Sequence, residues 1–501
     1  MINFRFNMKS SYVEGRLMAR SPIRFRLPVF VLLLGGAALL GCQDTTSDLA
    51  EIGVPDTDDI AVTDTEASDV VAAADTSPAP PSSQNVLLII ADDLGLDHAE
   101  CYGATGSLAS TPTIGTLCDE GVVFANAWAM PTCSPTRAAM LTGRYPLRHG
   151  VGAPSGGSQP GLPEDEQTIP RVLNAHPDLG VTHANIGKWH LSAGLNIGGD
   201  PNAFGWGHFS GITHGVVNDY YAWTKVVDGV SEAVETYVTT ALVDDAIAWI
   251  DAQDGPWVLW LALNAPHAPF HIPPPDLHSQ SLPNTPGDCP LPKKATCYRA
   301  AIEAMDSEIS RLLASMDADT RLNTNIIYLG DNGSPGPVAQ DPVTSTRAKG
   351  TMYEGGIHVP FVVHGPAVVE GGRFVDAIID VTDVFATVLT LAGVDVADLD
   401  GITIDSVSLV PYLADPAQAP LREWTLSELY ASASSNDKPG RAIRDVRFKL
   451  IVFLDGREEF YDLLADPWEA TDLLAGEALD TGAQAAYDTL SATLEGLLAA
   501  P

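Results

Sequence analysis

The chain has 501 residues, 45% of them hydrophobic and 18% charged, so it can bury a large core and is not disordered throughout. Its formal net charge of −37 excludes a general nucleic-acid binder, because neutralising phosphates needs clustered Lys and Arg. An anionic substrate would have to be held by a local group of cations against the field of the whole protein.

The N-terminal segment has the pattern of an export signal. Basic residues between Arg5 and Arg26 precede an apolar run, residues 27–40, which is too short to predict a membrane-spanning helix. The run ends in Leu-Leu-Gly-Cys at residues 39–42, which resembles the lipobox of bacterial lipoproteins. We therefore expect residues 1–41 to be removed and Cys42 to carry lipid, anchoring the exported protein in the cell envelope, at the outer membrane or in the periplasm. The alternative is an ordinary secretory signal that ends near a cysteine.

Residues 42–84 are predicted to form a disordered tether. They contain ten acidic residues and no Lys or Arg, and they end in a segment rich in Pro and Ser. Such a composition cannot bury enough apolar surface to fold. The folded part of the chain is therefore predicted to begin at Asn85.

Several short apolar runs predict strands that are buried on both faces. They are residues 85–91 (NVLLIIA), 257–263 (WVLWLAL), 325–329 (NIIYL) and 360–363 (PFVV). An amphipathic helix is predicted over residues 298–316, where apolar side chains repeat at intervals of three and four. Buried strands that alternate with helices predict an α/β fold with a mostly parallel sheet sandwiched by helices. Ligand sites in such sheets lie beyond the carboxyl ends of the strands.

Two of these strand ends carry oxygen ligands. The first strand ends in Asp92 and Asp93, and the strand at residues 325–329 leads into Asp331 and Asn332. Alone, Asp-Asp is common as a helix cap and Asp-Asn-Gly is common in turns. Adjacent buried carboxylates repel one another unless a cation neutralises them, and three carboxylates with one amide suit a hard divalent ion. Together the two pairs predict a metal site.

The cysteines leave one thiol unaccounted for. Besides Cys42 and Cys133, four cysteines can form two disulfides in an oxidising compartment: Cys101, Cys118, Cys289 and Cys297. Cys289 and Cys297 flank a Pro-rich loop and are predicted to form a disulfide. By elimination, Cys101 is then predicted to pair with Cys118. Cys133 is then unpaired. Composition alone does not decide whether it has a chemical role or is simply buried.

The residues around Cys133 resemble the signature of the type I sulfatases of the alkaline phosphatase superfamily. Cys-Ser-Pro-Thr-Arg at residues 133–137 is followed by Leu-Thr-Gly-Arg at residues 141–144. Further segments of the family occur in the expected order across residues 85 to about 475: 187–190 (GKWH), 264–267 (NAPH), 330–333 (GDNG), 349–356 (KGTMYEGG) and 461–469 (YDLLADPWE). The ordered series makes the resemblance specific.

This resemblance implies that Cys133 does not remain a thiol. In the family the cysteine is oxidised to Cα-formylglycine, here by a formylglycine-generating or anaerobic sulfatase-maturating enzyme. The hydrated aldehyde offers one hydroxyl to attack sulfur and a second that later expels sulfate. The resemblance also implies one Ca²⁺ ion, held by Asp92, Asp93, Asp331 and Asn332 together with an oxygen of the modified Cys133.

The remaining catalytic roles are implied by the same resemblance. Arg137 and Lys188 hold the nucleophile and offset the charge around it. His190 follows Lys188 by two residues, on the same face if the chain is extended there, and accepts the second hydroxyl's proton. His267 and Lys349 grip the sulfate oxygens and assist the leaving oxygen. Taken singly, each of these residues would more often be structural.

Two other functions are alternatives to a sulfatase. A phosphonate monoester or phosphodiester hydrolase shares the fold, but members of that group tend to have Asp-His as the second metal pair and to lack the Lys-x-His element. This chain has Asp331 with Asn332, and Lys188 with His190, so sulfate ester cleavage is favoured. A catalytically inactive envelope-binding protein should have lost at least one polar residue of the site, and none is missing.

The resemblance also predicts the domains and the substrate class. Residues 85–385 are predicted to form the catalytic domain and residues 386–501 a smaller C-terminal α+β subdomain that ends in a helix from residue 481. The substrate is expected to be a sulfated small molecule or glycan, either an aryl or a carbohydrate sulfate. The loops predicted to surround the sulfate pocket are residues 152–163, 194–216 and 271–297, and Trp206, His208 and Phe209 are candidates for stacking on a substrate ring.

Overall fold

The computed structural model describes residues 84–499 except 157–158, 194–199, 400, 433–436 and 477. Several predicted features lie outside the described residues. They are the signal, the lipidation site Cys42, nearly all of the tether and parts of two substrate loops. Within the described ranges, no helix combines the length and the apolar character needed to cross a membrane.

The strands of the described chain are numbered in chain order. They are β1 (Asn85–Ala91), β2 (Val122–Trp128), β3 (Thr182–Lys188), β4 (His208–Ile212), β5 (Trp223–Val227), β6 (Val230–Val234), β7 (Trp257–Leu263), β8 (His271–Ile272), β9 (Gly287–Asp288), β10 (Thr324–Gly330), β11 (Phe361–His364), β12 (Arg373–Asp380), β13 (Thr425–Leu429), β14 (Gly440–Arg444), β15 (Phe448–Phe453) and β16 (Glu458–Asp462). All four predicted strands are present. The apolar run therefore predicted each strand to within one or two residues.

The α-helices are numbered in the same way. They are α1 (Pro112–Glu120), α2 (Cys133–Thr142), α3 (Pro146–His149), α4 (Ile169–Ala175), α5 (Asp200–Ala203), α6 (Val238–Asp251), α7 (Lys294–Ser315), α8 (Ala318–Leu322), α9 (Glu354–Ile357), α10 (Asp383–Leu391), α11 (Val410–Ala414) and α12 (Thr481–Ala499). The predicted amphipathic helix is α7, which begins four residues earlier than its apolar period, and the predicted terminal helix is α12.

A large mixed sheet forms the centre of the fold. In the described chain it has ten strands in the order β12-β2-β11-β10-β1-β7-β3-β4-β5-β6. The five inner strands from β10 to β4 are all parallel, whereas β11 runs antiparallel to both of its neighbours and β5 and β6 are antiparallel at the far edge. The predicted sheet is therefore confirmed, with antiparallel strands on both flanks of its parallel centre.

Both faces of β1 are buried, as its continuous apolar sequence predicts. Leu87 and Ile89 contribute to the core that contains apolar residues of α6 and α7, and Leu88 and Ile90 to the core that contains residues of α2 and α10. Helices therefore cover the sheet on both sides. Because β1 is buried along its whole length, polar side chains that bind a ligand can follow it only at its carboxyl end.

The parallel centre brings four strand ends to one edge of the sheet. Ala91 at the end of β1 is paired with Gly330 of β10 and with Leu263 of β7, and Gly187 of β3 is paired with Ala262 of β7. The residues that follow these strands therefore share one edge. This register is what assembles the candidate site.

A second, four-stranded antiparallel sheet is formed by β13-β14-β15-β16, with α12 beside it. Ala483, Leu490 and Leu494 are the buried residues of α12. The predicted C-terminal α+β elements are confirmed, but α10 runs across the predicted boundary between residues 385 and 386. The position of that boundary stays a prediction.

Two disulfides are present in the described chain. Cys101 is bonded to Cys118, with their Cα atoms 6.4 Å apart, and Cys289 to Cys297, with their Cα atoms 6.1 Å apart. Both pairings are the predicted ones. Cys133 is a free and buried cysteine.

Candidate active site

Asp92 and Asp93 lie at the carboxyl end of β1 and are almost fully buried, with exposed fractions of 0% and 2%. Asp93 has a left-handed backbone, with φ of 70°, and its N–H donates to Oδ1 of Asp331 at 2.9 Å. The hydroxyl of Tyr298 donates to the carbonyl oxygen of Asp93. These bonds hold an unfavourable backbone conformation for a non-glycine residue, a feature that concentrates at functional sites.

Cys133 is the first residue of α2 and its side chain faces the two aspartates. Its Sγ lies 3.5 Å from Oδ1 of Asp92 and 4.0 Å from Oδ1 of Asp93. Burial raises the pKa of the Cys133 thiol to about 12. A nucleophilic cysteine needs a lowered pKa, so the unmodified side chain would remain a protonated and weakly reactive thiol.

The guanidinium of Arg137, one turn along α2, is fully buried between two elements of the site. Its Nε and Nη2 donate to Oδ2 of Asp331 at 3.1 and 2.8 Å, and its Nη1 donates to the carbonyl oxygen of Lys188 at 2.9 Å. Such a planar fork is suited to fixing a carboxylate in one orientation. Arg137 therefore ties α2 to the ends of β10 and β3.

Lys188, the last residue of β3, is fully buried and donates from Nζ to Oδ2 of Asp92 at 2.6 Å. His190 lies beyond the strand with a left-handed φ of 59°, so the expectation that an extended chain places it on the face of Lys188 is wrong. The carbonyl oxygen of His190 instead accepts from Oγ of Ser134 at 2.7 Å, and Gly215 borders its imidazole so closely that a Cβ there would lie 2.3 Å from Nε2.

The imidazole of His190 is held in its neutral form. Burial, together with the charges of Lys188 and Arg137, holds the pKa of His190 well below its usual range. Its Nδ1 is buried and, among the described residues, has no hydrogen-bond partner. A neutral imidazole with an unsatisfied nitrogen can accept a proton from a bound group.

His267 and Lys349 both lie next to the carboxylate of Asp93. His267 Nε2 lies 3.6 Å from Oδ2 of Asp93, and its Nδ1 faces the carbonyl oxygen of Ala268 at 2.6 Å. Lys349 Nζ donates to Oδ1 of Asp93 and lies 3.5 Å from Sγ of Cys133. Although burial disfavours its charged form, the carboxylate of Asp93 raises the pKa of Lys349, so the ammonium stays charged.

Asp331 and Asn332 follow β10 and are fully buried. Burial, reinforced by the charge of Asp92, raises the pKa of Asp331 to about 6. Asn332 donates from Nδ2 to Oδ1 of Asp93 at 2.8 Å, while its Oδ1 is buried and has no partner among the described residues. An orphaned buried amide oxygen at this position needs a donor or a cation.

The residues present are compatible with a calcium ion. One ligand atom each from Asp92, Asp93, Cys133 and His267 lie within 4.8 Å of one another. The carboxylate oxygens of Asp92 and Asp93 are ligands that Ca²⁺ prefers, whereas the sulfur of an unmodified Cys133 and a nitrogen of His267 are not. The unpartnered Oδ1 of Asn332, whose Nδ2 donates to Asp93, is a further oxygen ligand of the preferred kind. Asp331 accepts the Asp93 N–H at Oδ1 and the Arg137 guanidinium at Oδ2, so its role as a ligand stays a prediction, and His267 was predicted only as a catalytic residue.

Two further residues hold the site, although the sequence reasoning assigned them no role. Asn264 follows β7 with 2% of its surface exposed, and its Oδ1 has no partner among the described residues. The hydroxyl of Tyr220 donates at 2.8 Å to the carbonyl oxygens of Asn264 and His267. Asn264 opens the segment that ends at His267, so its position was visible in the sequence, whereas nothing marked Tyr220.

Two of the three aromatic residues suggested for substrate stacking are not available for it. Trp206 is 2% exposed and Phe209 is fully buried, and both belong to the core on one face of the sheet. The expectation was wrong for Phe209 because it lies in β4, where pairing with β3 turns its ring inward. The side chain of His208 is 29% exposed and pairs at 2.8 Å with Asp228, so its stacking role stays a prediction.

Comparison with known proteins agrees with this arrangement. A sequence model of the sulfatase family matches residues 84–394, well over half of the chain. The chain belongs to the sulfatase family. A second family model, described as the C-terminal part of N-sulphoglucosamine sulphohydrolase, matches residues 347–495 of this sulfatase. The predicted resemblance to the sulfatases is thus confirmed.

Individual sulfatases show the same relationship. An uncharacterized sulfatase of Escherichia coli (strain K12), YdeN, is 29% identical over 370 residues, which are 68% of this chain and 62% of the relative. The N-acetylgalactosamine-6-sulfatase of Homo sapiens is 28% identical over 370 residues, 67% of this chain and 66% of the relative. The chain therefore spans slightly less than two-thirds of the length of these relatives. The crystal structure of Ps i-CgsB shares the fold, with a TM-score of 0.69 at 24% identity over 83% of this chain and 93% of the other.

Proposed function

We propose that this protein hydrolyses sulfate monoesters, R–O–SO₃⁻, to an alcohol or phenol and inorganic sulfate, using a calcium ion and Cα-formylglycine made from Cys133. The observation that carries the proposal is the position of Cys133. Its buried side chain faces the carboxylates of Asp92 and Asp93, and the ammonium of Lys349, which is bonded to Asp93, lies 3.5 Å from its Sγ. A nucleophile generated there would have a fixed cation beside the sulfate it attacks.

The charges of the site explain why a metal ion is needed. Three carboxylates, those of Asp92, Asp93 and Asp331, are matched by three cations, Arg137, Lys188 and Lys349. When all six groups are ionised, these charges sum to zero in a protein with a net charge of −37. A sulfate ester would gain little from such a site, and a bound Ca²⁺ adds the two positive charges that favour it.

Each group of this chain then has a defined task. The hydrated aldehyde at residue 133 supplies the oxygen nucleophile and the hydroxyl that releases the product. Lys188 and Arg137 hold the surrounding carboxylates in place, and Lys349 is near enough to contact a sulfate oxygen. His190, kept neutral by burial, accepts a proton at the step that frees sulfate. His267, whose Nδ1 hydrogen is committed to the Ala268 carbonyl, would deliver a proton from Nε2 to the leaving oxygen as an imidazolium; burial lowers the pKa of His267, and the carboxylates of Asp93 and Asp92 favour its charged form.

The two histidines should be separable by the acidity of the leaving group. We expect His267→Ala to slow sulfates of sugar alcohols about 100-fold or more, but nitrophenyl sulfate far less, because a good leaving group needs little proton donation. His190→Ala should slow both substrates alike and release a burst of about one phenol per site before stalling, because it acts after the alcohol has left. Rapid-quench kinetics on both variants measures this. The roles would be reversed if His267→Ala gave the burst and His190→Ala gave the leaving-group dependence.

A sulfated small molecule or glycan remains the proposed substrate class. The name of the human relative, N-acetylgalactosamine-6-sulfatase, supports a carbohydrate sulfate. Screening the formylglycine-converted protein on aryl sulfates, sulfated glycans and matched phosphate mono- and diesters tests both the class and the phosphoester alternative. A higher kcat/KM on the phosphoesters would contradict the proposed function.

We further propose that the mature protein begins at a lipidated Cys42 in the cell envelope, on the basis of the sequence at residues 39–42. A flexible tether of about 42 residues would reach about 35 Å from the lipid on average, which gives the enzyme access to substrate beyond the headgroups. We expect the wild type to enter the detergent phase in phase partitioning and Cys42→Ser to stay in the aqueous phase. Aqueous partitioning of both proteins would contradict lipidation.

A further inference from the structure

Lys349 lies on a short connecting segment, residues 347–354, that is held from two sides. On the inner side, the N–H of Lys349 donates to the carbonyl oxygen of Ser334 at 3.0 Å, and the N–H of Gly350 donates to that of Pro131 at 2.9 Å. These bonds hold the backbone of the segment to the loop that follows β10 and to the loop that precedes α2. The outer side of the segment contacts the C-terminal sheet and the loop that follows it.

Arg347 makes the first of these outer contacts. Its guanidinium lies 4.3 Å from the ring centre of Tyr353 and 5.9 Å from that of Tyr461, in β16. Its Nη1 donates to the carbonyl oxygens of Glu469 and, at 3.4 Å, of Trp468. Two residues before Lys349, the segment is therefore bonded to the C-terminal loop.

Glu469 makes the second contact at the other end of the segment. Its carboxylate accepts the N–H of Glu354 at 2.7 Å and pairs with Nζ of Lys449 at 2.6 Å, and Lys449 also pairs with the carboxylate of Glu354 at 2.9 Å. All three residues are at most 2% exposed. Glu469 thus bonds to both ends of the segment, through its carbonyl oxygen to Arg347 and through its carboxylate to Glu354.

We propose that Arg347 and Glu469 are positioning residues that set the place of the Lys349 ammonium, so that the C-terminal subdomain takes part in catalysis without contacting substrate. The proposal rests on the proposed function, in which Lys349 contacts the sulfate. The Lys349 ammonium contacts Asp93 and lies 3.5 Å from Cys133 Sγ, so a small shift of the segment removes it from both groups. A displacement of about 1 Å can cost about 100-fold in rate.

The test is a double-mutant cycle between Arg347 and Lys349. We expect Arg347→Ala to lower kcat/KM about 10- to 100-fold in the otherwise wild-type protein, and less than about 3-fold when added to Lys349→Ala, because the group it positions is already gone. Arg347→Lys, which can still donate to the Glu469 carbonyl, should recover most of the loss. Arg447→Ala is the matched control, since Arg447 stacks on Phe448 at 4.6 Å and pairs with Asp462 but does not contact the segment.

Hydrogen exchange of the same variants gives a result that does not depend on activity. In Arg347→Ala the amides of Lys349 and Gly350 should exchange at least about 10-fold faster, and in Arg447→Ala they should not change. Losses that add fully in the double mutant, or unchanged protection of these amides, would overturn the positioning role. If the wild type hydrolysed no sulfate ester, the proposed function would fail, and exchange alone would decide whether Arg347 holds the segment.

Discussion

Cys133→Ala is expected to abolish sulfate ester hydrolysis, with a loss of about 10⁵-fold or more in kcat, because it removes the precursor of the nucleophile. The loss should not reflect unfolding, since the substitution removes only one buried sulfur atom at the start of α2. The wild-type protein should react with an aldehyde-specific hydrazide at residue 133, and the variant should not. Peptide mass spectrometry should show the thiol replaced by the aldehyde.

The control for this prediction uses the other cysteines. The double variant Cys289→Ala, Cys297→Ala removes the disulfide that joins α7 to the loop before it and leaves Cys133 intact, so it should keep the aldehyde. A fully active preparation in which Cys133 was entirely thiol or disulfide would refute the modification. The raised pKa of the Cys133 thiol explains why a simple thiolate is not expected to replace it.

Removal of calcium is expected to have the second largest effect. Chelation should abolish turnover, and added Ca²⁺ should restore it and raise the melting temperature, since a ligand at about 100 times its Kd stabilises the folded state by about 2.7 kcal/mol. In Asn332→Leu both effects of Ca²⁺ should be much weaker, because the substitution removes the buried Oδ1 that has no partner within the described part of the chain. The melting temperature with and without Ca²⁺, and the bound calcium by elemental analysis, measure this independently of activity.

Asn185→Leu is the matched control for the calcium prediction. Asn185 of β3 is also fully buried and its amide lacks a partner among the described residues, but it pairs with Phe209 and Trp260 rather than with site residues. Its substitution should leave the effect of Ca²⁺ on the melting temperature unchanged. Equal calcium binding by the wild type and Asn332→Leu would contradict the assigned site.

The sequence by itself determined the elements and the chemistry of the site. The apolar run at residues 85–91 can be satisfied only by burial on both faces, so β1 and the position of Asp92 and Asp93 at its end followed directly. The same reasoning located Asp331 and Asn332, and the spacing of the cysteines gave both disulfides. Family motifs then predicted a reactive role for Cys133, because they combine residue types that chance seldom brings together in order.

Only the tertiary structure decided the direction of neighbouring strands, the orientation of site side chains and the contacts that support the site. An apolar run is equally compatible with a parallel or an antiparallel neighbour, so the reversal of β11 depends on its pairing with β10 and β2. The backbone of His190 is left-handed because residues 213–215 and Ser134 hold it, and Phe209 is buried because β4 turns its ring into the core. The hydrogen bond from Arg347 to the carbonyl oxygen of Glu469 joins residues 122 positions apart. A local sequence pattern cannot predict such a contact, because only the packing of the whole chain brings the two residues together.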